Sequence, residues 1–409
     1  MKVVIVGGVA GGATAAARLR RLDETAEIVV FERSGFISYA NCGLPYYIGG
    51  VIEDEADLTL QTPESFYERF RVQMKVHHEV TAIDRAAKTV TVRNLETGEV
   101  FAEAYDKLLL SPGAKPTQPA LPGVGLDRLF TLRTVEDTLR IHRFVEEQHP
   151  RSVVLAGGGF IGLELAENLR EKGLDVTIVQ RPTQLMNPFD ADMAALIHRE
   201  VRAHGVRLAL GHTVEGFAEA NGGVQVLLKD EAPLQADMVI LAIGVTPDSR
   251  LAADAGLELG LKGSIVVNDR MQTSDPDIYA VGDAVQVTHF VSGQPALIAL
   301  AGPANKQGRI AADNIAGGDS RYKGSQGSSV LKIFSLTAAA TGLNETAARR
   351  AGLDADAVVL SPMNHAGYYP GGQVMTMKVV YERADPRRGR GGQAHRCAGH
   401  RLTGRDDGR

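Results

Sequence analysis

Cys42 sits in the stretch SYANCGLPYYIGG, Ser38 to Gly50, after polar Asn41 and before a Gly43-Leu44-Pro45 turn. A buried structural cysteine normally has apolar neighbours. Turn chemistry on both sides instead marks a loop, where functional residues concentrate. As a thiolate, Cys42 could attack sulfur or be oxidised itself. A merely packed cysteine is the alternative reading. The 409 residues hold only two cysteines. That rules out a disulfide framework and points to a reducing, cytoplasmic setting.

Two glycine turns could hold phosphates. Gly157-x-Gly159-x-x-Gly162 has an apolar run before it and a helical pattern after it. In such a turn the first glycine permits the tight bend and the second lets backbone approach a pyrophosphate. The third allows close strand–helix packing, and the phosphates meet the positive helix end. The earlier turn, GGVAGG, matches at Gly7 and Gly12 but has Val9 in the middle. Alone, it equally fits a tight turn with no ligand. Glu32 lies 20 residues after Gly12, at a strand end. An acid there bonds a ribose hydroxyl; a solvated carboxylate is the plainer alternative. Gln180-Arg181 occupies the matching place in the second unit. A neutral Gln followed by Arg leans towards a 2′-phosphate, hence NADP, unless Arg181 is exposed and contacts nothing.

The elements that position these residues follow from pattern. Val3–Val6 is a short apolar run, as in a parallel strand buried on both faces. Ala13–Leu22 reads as a helix and Ile28–Phe31 as a strand. Thr62–Phe70 reads as a helix with Pro63 in its first turn. Segments near 76–84, 89–94 and 99–102 alternate, as in a small antiparallel meander. Asp106–Leu110 is a buried strand ending at Ser111-Pro112-Gly113. The strand–turn–helix–strand pattern recurs at Ser152–Ala156, Gly162–Lys172 and Asp175–Val179, an internal duplication. Met238–Ile243 ends at Gly244, and Ile278–Val281 ends at Gly282-Asp283. From Val330 the texture is mixed α+β.

Composition supports a multidomain chain with substantial cores: 44% of residues are hydrophobic. The net charge of -5 gives no footprint for nucleic acid. No apolar run approaches the roughly 18 residues of a membrane span, and the start of the chain carries no signal-peptide pattern.

Two dinucleotide units, the loop cysteine and "IYAVGDA" resemble the FAD-dependent pyridine nucleotide–disulfide oxidoreductases. "FISYANCGLPYYIGG", "LLLSPGAKP", "GGGFIGLELAENL", "LAIGVTPDSRLA", "AGPANKQGRIAADNIAGG" and "HAGYYPGG" resemble its coenzyme A-disulfide reductase and NAD(P)H persulfide reductase branch. The resemblance covers about residues 1–381. It implies an α/β fold of two Rossmann-like domains, the FAD domain interrupted by the NAD(P)H domain, plus an α+β interface domain. The expected boundaries are 1–115 and 246–323 for FAD, 116–245 for NAD(P)H with its lead-in, and 324–381 for a truncated interface domain. Residues 382–409 are expected to form a disordered tail.

The resemblance also implies roles. Gly7, Gly8, Val9, Gly12, Glu32, Arg33, Val80, Ser111, Pro112, Gly113, Gly282 and Asp283 would hold FAD. Val9 matches the branch, which also departs from glycine there. Gly157, Gly159, Phe160, Ile161, Gly162, Glu164, Gln180, Arg181 and Gly244 would hold NADPH or NADH. Thr14, Arg18, Arg21, Ser38, Asn41 and Asn305 match the face that contacts coenzyme A. Arg18 and Arg21 would meet its phosphates, unless they form a solvated basic helix face. Phe70 stands where a relative can carry a Lys. No metal is called for.

Cys42 and Tyr368 would be the catalytic pair. Two-cysteine relatives carry C-x-x-x-x-C; here the second position is Tyr47, so no internal disulfide can form in this loop. The thiol's partner must come from outside. The expected cycle runs from NAD(P)H through the flavin to a Cys42 mixed disulfide with coenzyme A disulfide, or to a persulfide or polysulfide. NADH oxidases and peroxidases, which cycle a sulfenic acid, are the second reading, although peroxidases carry a His where this chain has Ala10. A non-catalytic flavoprotein is the third.

Residues 382–409 contain eight Arg and six Gly, with no periodicity. Two readings stand: a natural basic tail, or a reading-frame slip near Glu382–Pro386 that would make Cys397 accidental. The slip implies that Val374–Tyr381 is an unpaired apolar edge. A homodimer, expected for the family, then becomes doubtful. The chain would bind FAD but dimerise poorly and turn over coenzyme A disulfide weakly.

Overall fold

The computed structural model describes residues 1–397, with backbone alone for 385–388 and 396–397. It divides into two compact units. The first joins Met1–Pro119, Phe130–His149 and Ile243–Ser325; the second joins Ala120–Leu129, Pro150–Ala242 and the chain from Gln326 onward.

The first unit is built on a five-stranded parallel sheet. Its order is Ile278–Ala280, Lys107–Leu110, Lys2–Val6, Glu27–Phe31, Gln73–Lys75. Val4 stands opposite Val29 on one side and Leu108 on the other. The middles of the inner strands are apolar because both faces are covered, and Val3, Val4, Ile5 and Leu108 are fully buried. The order reverses between Lys107–Leu110 and Lys2–Val6, the crevice where such sheets bind ligands. The expected meander is present as His78–Asp84, Thr89–Asn94 and Val100–Ala104. Thr62 caps the Pro63–Phe70 helix through a capping box with Ser65.

The glycine-turn helices begin earlier than the apolar pattern predicts, at Ala10 and Phe160. Val9 and Gly159 are the cap positions, so Gly12 and Gly162 lie inside the first helical turn. There a Cβ would collide with the carbonyl oxygens of Gly7 and Gly157 respectively.

Residues 130–149 belong to the first unit, not to the second domain's lead-in. Their Val135–Gln148 helix packs on the Leu44–Gly49 helix that follows Cys42, with the Tyr47 and His142 rings 4.8 Å apart. This is an aromatic contact between distant segments, which periodicity does not register.

The second unit holds its own parallel strands, in the order Arg207–Leu210, Asp175–Gln180, Ser152–Ala156, Met238–Leu241. It also holds a five-stranded antiparallel sheet ordered Ser329–Ile333, Leu336–Gly342, Asp385–Cys397, Met375–Glu382, Ala355–Leu360. This overturns two expectations. Asp385–Cys397 is a central strand rather than a structureless tail, and Met375–Glu382 is paired on both sides rather than an open edge. Backbone hydrogen bonds carry a strand whatever its hydrophobicity. The glycines that looked like disorder permit close approach: a Cβ at Gly391 would strike the Leu343 backbone. Residues 398–409 of the expected tail lie outside the described residues. Among the described residues, no helix is long and apolar enough to cross a membrane.

Candidate active site

A cavity of about 330 Å³ opens at the switch point of the first sheet. Of the residues expected to hold FAD, Gly7, Val9, Glu32, Arg33, Val80, Ser111, Pro112 and Gly113 line it, and Gly8, Gly12, Gly282 and Asp283 do not. Gly7 has φ +98°, and a Cβ there would collide with the Ser111 carbonyl. Glu32 is buried and receives two backbone N–H bonds, from Gly8 at 2.8 Å and Ser34 at 2.9 Å. Burial raises its pKa and these bonds act against the rise. An open mouth between glycine backbone and a strand-end carboxylate fits a dinucleotide.

Sequence reasoning missed Arg133, which also lines this cavity. Its Nε donates to the Ala114 carbonyl at 3.0 Å, and its Nη2 meets Asp283 Oδ2 at 3.1 Å. Burial raises the Asp283 pKa, with Arg133 opposing. Arg133 carries no motif signal; only the fold brings it 150 residues back to Asp283. Arg33, at the cavity wall, is paired with Asp248 at 2.8 Å. Gly282 has φ +83° and donates its N–H to Gln307 at 2.7 Å.

Cys42 is exposed, on a single 3-10 turn formed by Asn41–Gly43. The loop is tied to the glycine turn: Ser38 N–H donates to the Gly8 carbonyl at 3.0 Å, and Tyr39 lines the cavity. Ser38 itself has φ +47°. Beside Cys42, the Asn41 side-chain oxygen is buried and has no hydrogen-bond partner among the described residues.

The predicted substrate residues divide. Thr14 and Asn305, 291 residues apart, meet at 2.9 Å. Arg18 is bonded to Asp313 at 2.7 Å. Arg21 lies over the Phe70 ring, 5.5 Å from its centroid. Tyr368 is 91% exposed on the loop between Leu360 and Met375, and it does not line the cavity.

The second glycine turn repeats the first. Gly157 has φ +121°, and Gln180 Oε1 accepts the Gly158 N–H at 2.9 Å, the counterpart of the Glu32–Gly8 bond. Around Gly159 there is open space where a Cβ would be, as backbone approach to a phosphate needs. Phe160, Ile161 and Glu164 occupy the first turns of the following helix, and Arg181 is exposed directly after the strand. Gly244 has φ +108° and accepts a hydrogen bond from Thr117 N–H.

Residues 1–308 match the family model described as pyridine nucleotide-disulphide oxidoreductase. The chain is 37% identical over 382 residues to a coenzyme A disulfide reductase of Staphylococcus aureus, covering 93% of this chain and 85% of that one. Among solved structures, the reduced Bacillus anthracis CoADR-RHD superposes with a TM-score of 0.94 at 49% identity, covering 97% of this chain and 71% of that one. An NAD-dependent persulfide reductase from A. fulgidus superposes with a TM-score of 0.94 at 33% identity, covering 98% and 74%.

Proposed function

The chain belongs to the pyridine nucleotide-disulphide oxidoreductase family, and from that premise we propose that it reduces coenzyme A disulfide, or a related low-molecular-weight disulfide or persulfide, through a mixed disulfide on Cys42. The observation that carries this reading is the setting of Cys42. It is an exposed thiol on a loop tied to the FAD turn, with Tyr47 where a second cysteine would stand.

The protein is an FAD-dependent NAD(P)H oxidoreductase. Gly7, Gly8, Val9, Gly12, Glu32, Val80, Ser111–Gly113 and Asp283 would hold the flavin, with Arg133 added from the cavity wall. When bound, FAD passes two reducing equivalents from the nicotinamide to sulfur. The protein's own chemistry is then sulfur exchange. The Cys42 thiolate attacks one sulfur of R–S–S–R, that S–S bond breaks, and R–S⁻ leaves and takes a proton. Two-electron reduction of Cys42–S–S–R releases the second R–SH and restores the thiolate. The sum is NADPH + H⁺ + R–S–S–R giving NADP⁺ + 2 R–SH.

Asn41, with its unpartnered oxygen, and the Thr14–Asn305 pair would contact the substrate's amide-rich arm. Arg21 and Arg18 would meet its phosphates, Arg18 sharing its guanidinium with Asp313. Arg181 and neutral Gln180 favour NADPH over NADH. We place the enzyme in the cytoplasm as a homodimer. Exposed Val358, Val359, Leu360 and Tyr368 would supply an apolar contact face, with Tyr368 reaching the partner's site.

Cys42→Ser tests the reading. The variant is expected to keep its flavin absorbance and lose NADPH-dependent coenzyme A disulfide turnover by roughly a hundredfold or more. Wild-type protein under oxidising conditions should carry a small-thiol adduct on Cys42 by intact mass. Full activity in the Ser variant, or flavin without turnover on disulfide, polysulfide, peroxide or oxygen in the wild type, would refute it.

A further inference from the structure

We infer that His198 is a positioning residue for the nicotinamide cofactor: its imidazole fastens the loop after Gln180 onto the second phosphate turn. The inference rests on the reading that Gly157–Gly162 receives NAD(P)H.

The loop runs from Arg181 to Asp190 and enters the Ala191–Ala203 helix. It has no regular structure of its own, yet its middle is fully buried: Leu185 is 0% and Met186 1% exposed. Its ends are tied by Gly211 N–H to the Pro182 carbonyl at 3.1 Å and by Asn344 Nδ2 to the Asn187 carbonyl at 3.0 Å, and two further bonds hold its middle. Met186, at φ +55°, donates its N–H to the Gly158 carbonyl at 2.9 Å. Leu185 donates its N–H to His198 Nε2 at 2.9 Å. The Leu185 side chain then lies where a Cβ on Gly158 would be, so the loop covers Gly158, next to the open Gly159 position. Gln184 closes the loop from within, donating to the Phe189 carbonyl at 2.9 Å.

His198 can accept only through an unprotonated Nε2, which places its proton on Nδ1. Burial lowers its pKa, and Arg202 one turn along acts in the same direction. The ring is therefore held as the neutral acceptor that the Leu185 amide requires. Without the acceptor, a buried N–H has no partner, and the loop can satisfy it only by lifting off Gly158 into water. The cofactor would then meet an uncovered phosphate turn and a displaced Arg181. Loop residues 182–189 contain no other side chain that could tie this backbone to the helix by charge.

The test reads the cofactor alone, without any disulfide acceptor. Anaerobic stopped-flow reduction of the bound flavin gives the apparent NADPH dissociation constant. His198→Leu should raise it about tenfold, the cost of one unsatisfied buried donor. Flavin content and the limiting reduction rate should be unchanged. His198→Gln, whose side-chain oxygen can reach the same N–H, should stay within about threefold of wild type. An unchanged constant in His198→Leu overturns the inference, as does an equal loss in both variants. If His198→Leu does not hold FAD, wild type decides by hydrogen exchange. A slowly exchanging Leu185 amide supports the fastening, and exchange at the rate of an open loop overturns it. Wild-type flavin that NADPH does not reduce at all would instead refute the cofactor reading beneath it.

Discussion

Glu164 shows how the fold changes the chemistry of a single residue. Burial pushes its carboxyl up to about 7, and the charge of Glu167 on the same helix adds to the rise. Burial raises the Glu167 carboxyl as well, with its ion pair to Lys332 acting against the rise. The ordinary value for Glu164 is 4.5. Between those values the folded protein holds a proton that the unfolded chain releases, so stability falls as pH rises from 4.5 to 7 and levels off above. Glu164→Gln should change little at pH 5 and stabilise by on the order of 1–3 kcal/mol at pH 8. Thermal melts at the two pH values check this; equal shifts at both would show that Glu164 is not proton-linked to folding.

At the scale of the element, the two glycine turns separate what a helix needs from what a ligand needs. Gly162 is required by the protein itself, since its Cβ would strike the Gly157 carbonyl. Gly159 meets nothing and has φ -87°, a conformation any residue adopts. Gly162→Ala should therefore lower the melting temperature and impair cofactor binding together. Gly159→Ala should leave the melting temperature within about 2 °C of wild type, the shift of a small surface change, while weakening NADPH. Calorimetry paired with NADPH titration distinguishes them. A large loss of stability in Gly159→Ala would mean that its role is structural.

At the scale of the whole molecule, the second unit depends on a buried cation. Lys378 is 4% exposed in the central part of the C-terminal sheet and is ringed by Asp190 at 3.3 Å, Asp192 at 2.8 Å and Glu345 at 2.6 Å. Burial alone would lower its pKa, but bonds to Asp192 and Glu345 outweigh it and raise the value. Gln393, from the Arg/Gly-rich strand, exchanges two 2.8 Å hydrogen bonds with Asp190. The segment, poor in apolar residues, is thus held by backbone pairing on both sides, by the Gln393–Asp190 exchange and by the His395 ring packed 5.0 Å from that of Phe189. Lys378→Met leaves buried Asp190 without its cation, while Glu345 keeps Arg349 and Asp192 is half exposed, and should cost about 3 kcal/mol. Arg349→Met, at an exposed guanidinium paired with Glu345, should cost clearly less. Chemical denaturation of both variants checks the order; a neutral Lys378→Met would show that the carboxylates find water or protons elsewhere.

Local pattern was enough for the parallel strands, both glycine turns, the duplication and the loop character of Cys42. Each depends on neighbours within a few residues: an unbroken apolar run, a glycine spacing, a turn dipeptide. The Gln180–Gly158 bond was foreshadowed by Glu32 because the two units repeat one geometry. Tertiary structure alone decided what depends on distant partners. Arg133 reaches Asp283 only after the chain closes on itself, and His198 acquires its acceptor role only when a loop folds back onto its helix. Asp385–Cys397 looked structureless because hydrophobic periodicity is blind to a strand held by backbone pairing, close glycines and the Gln393–Asp190 exchange. Its place between two neighbouring strands is a property of those neighbours, and no local reading of its own residues contains it.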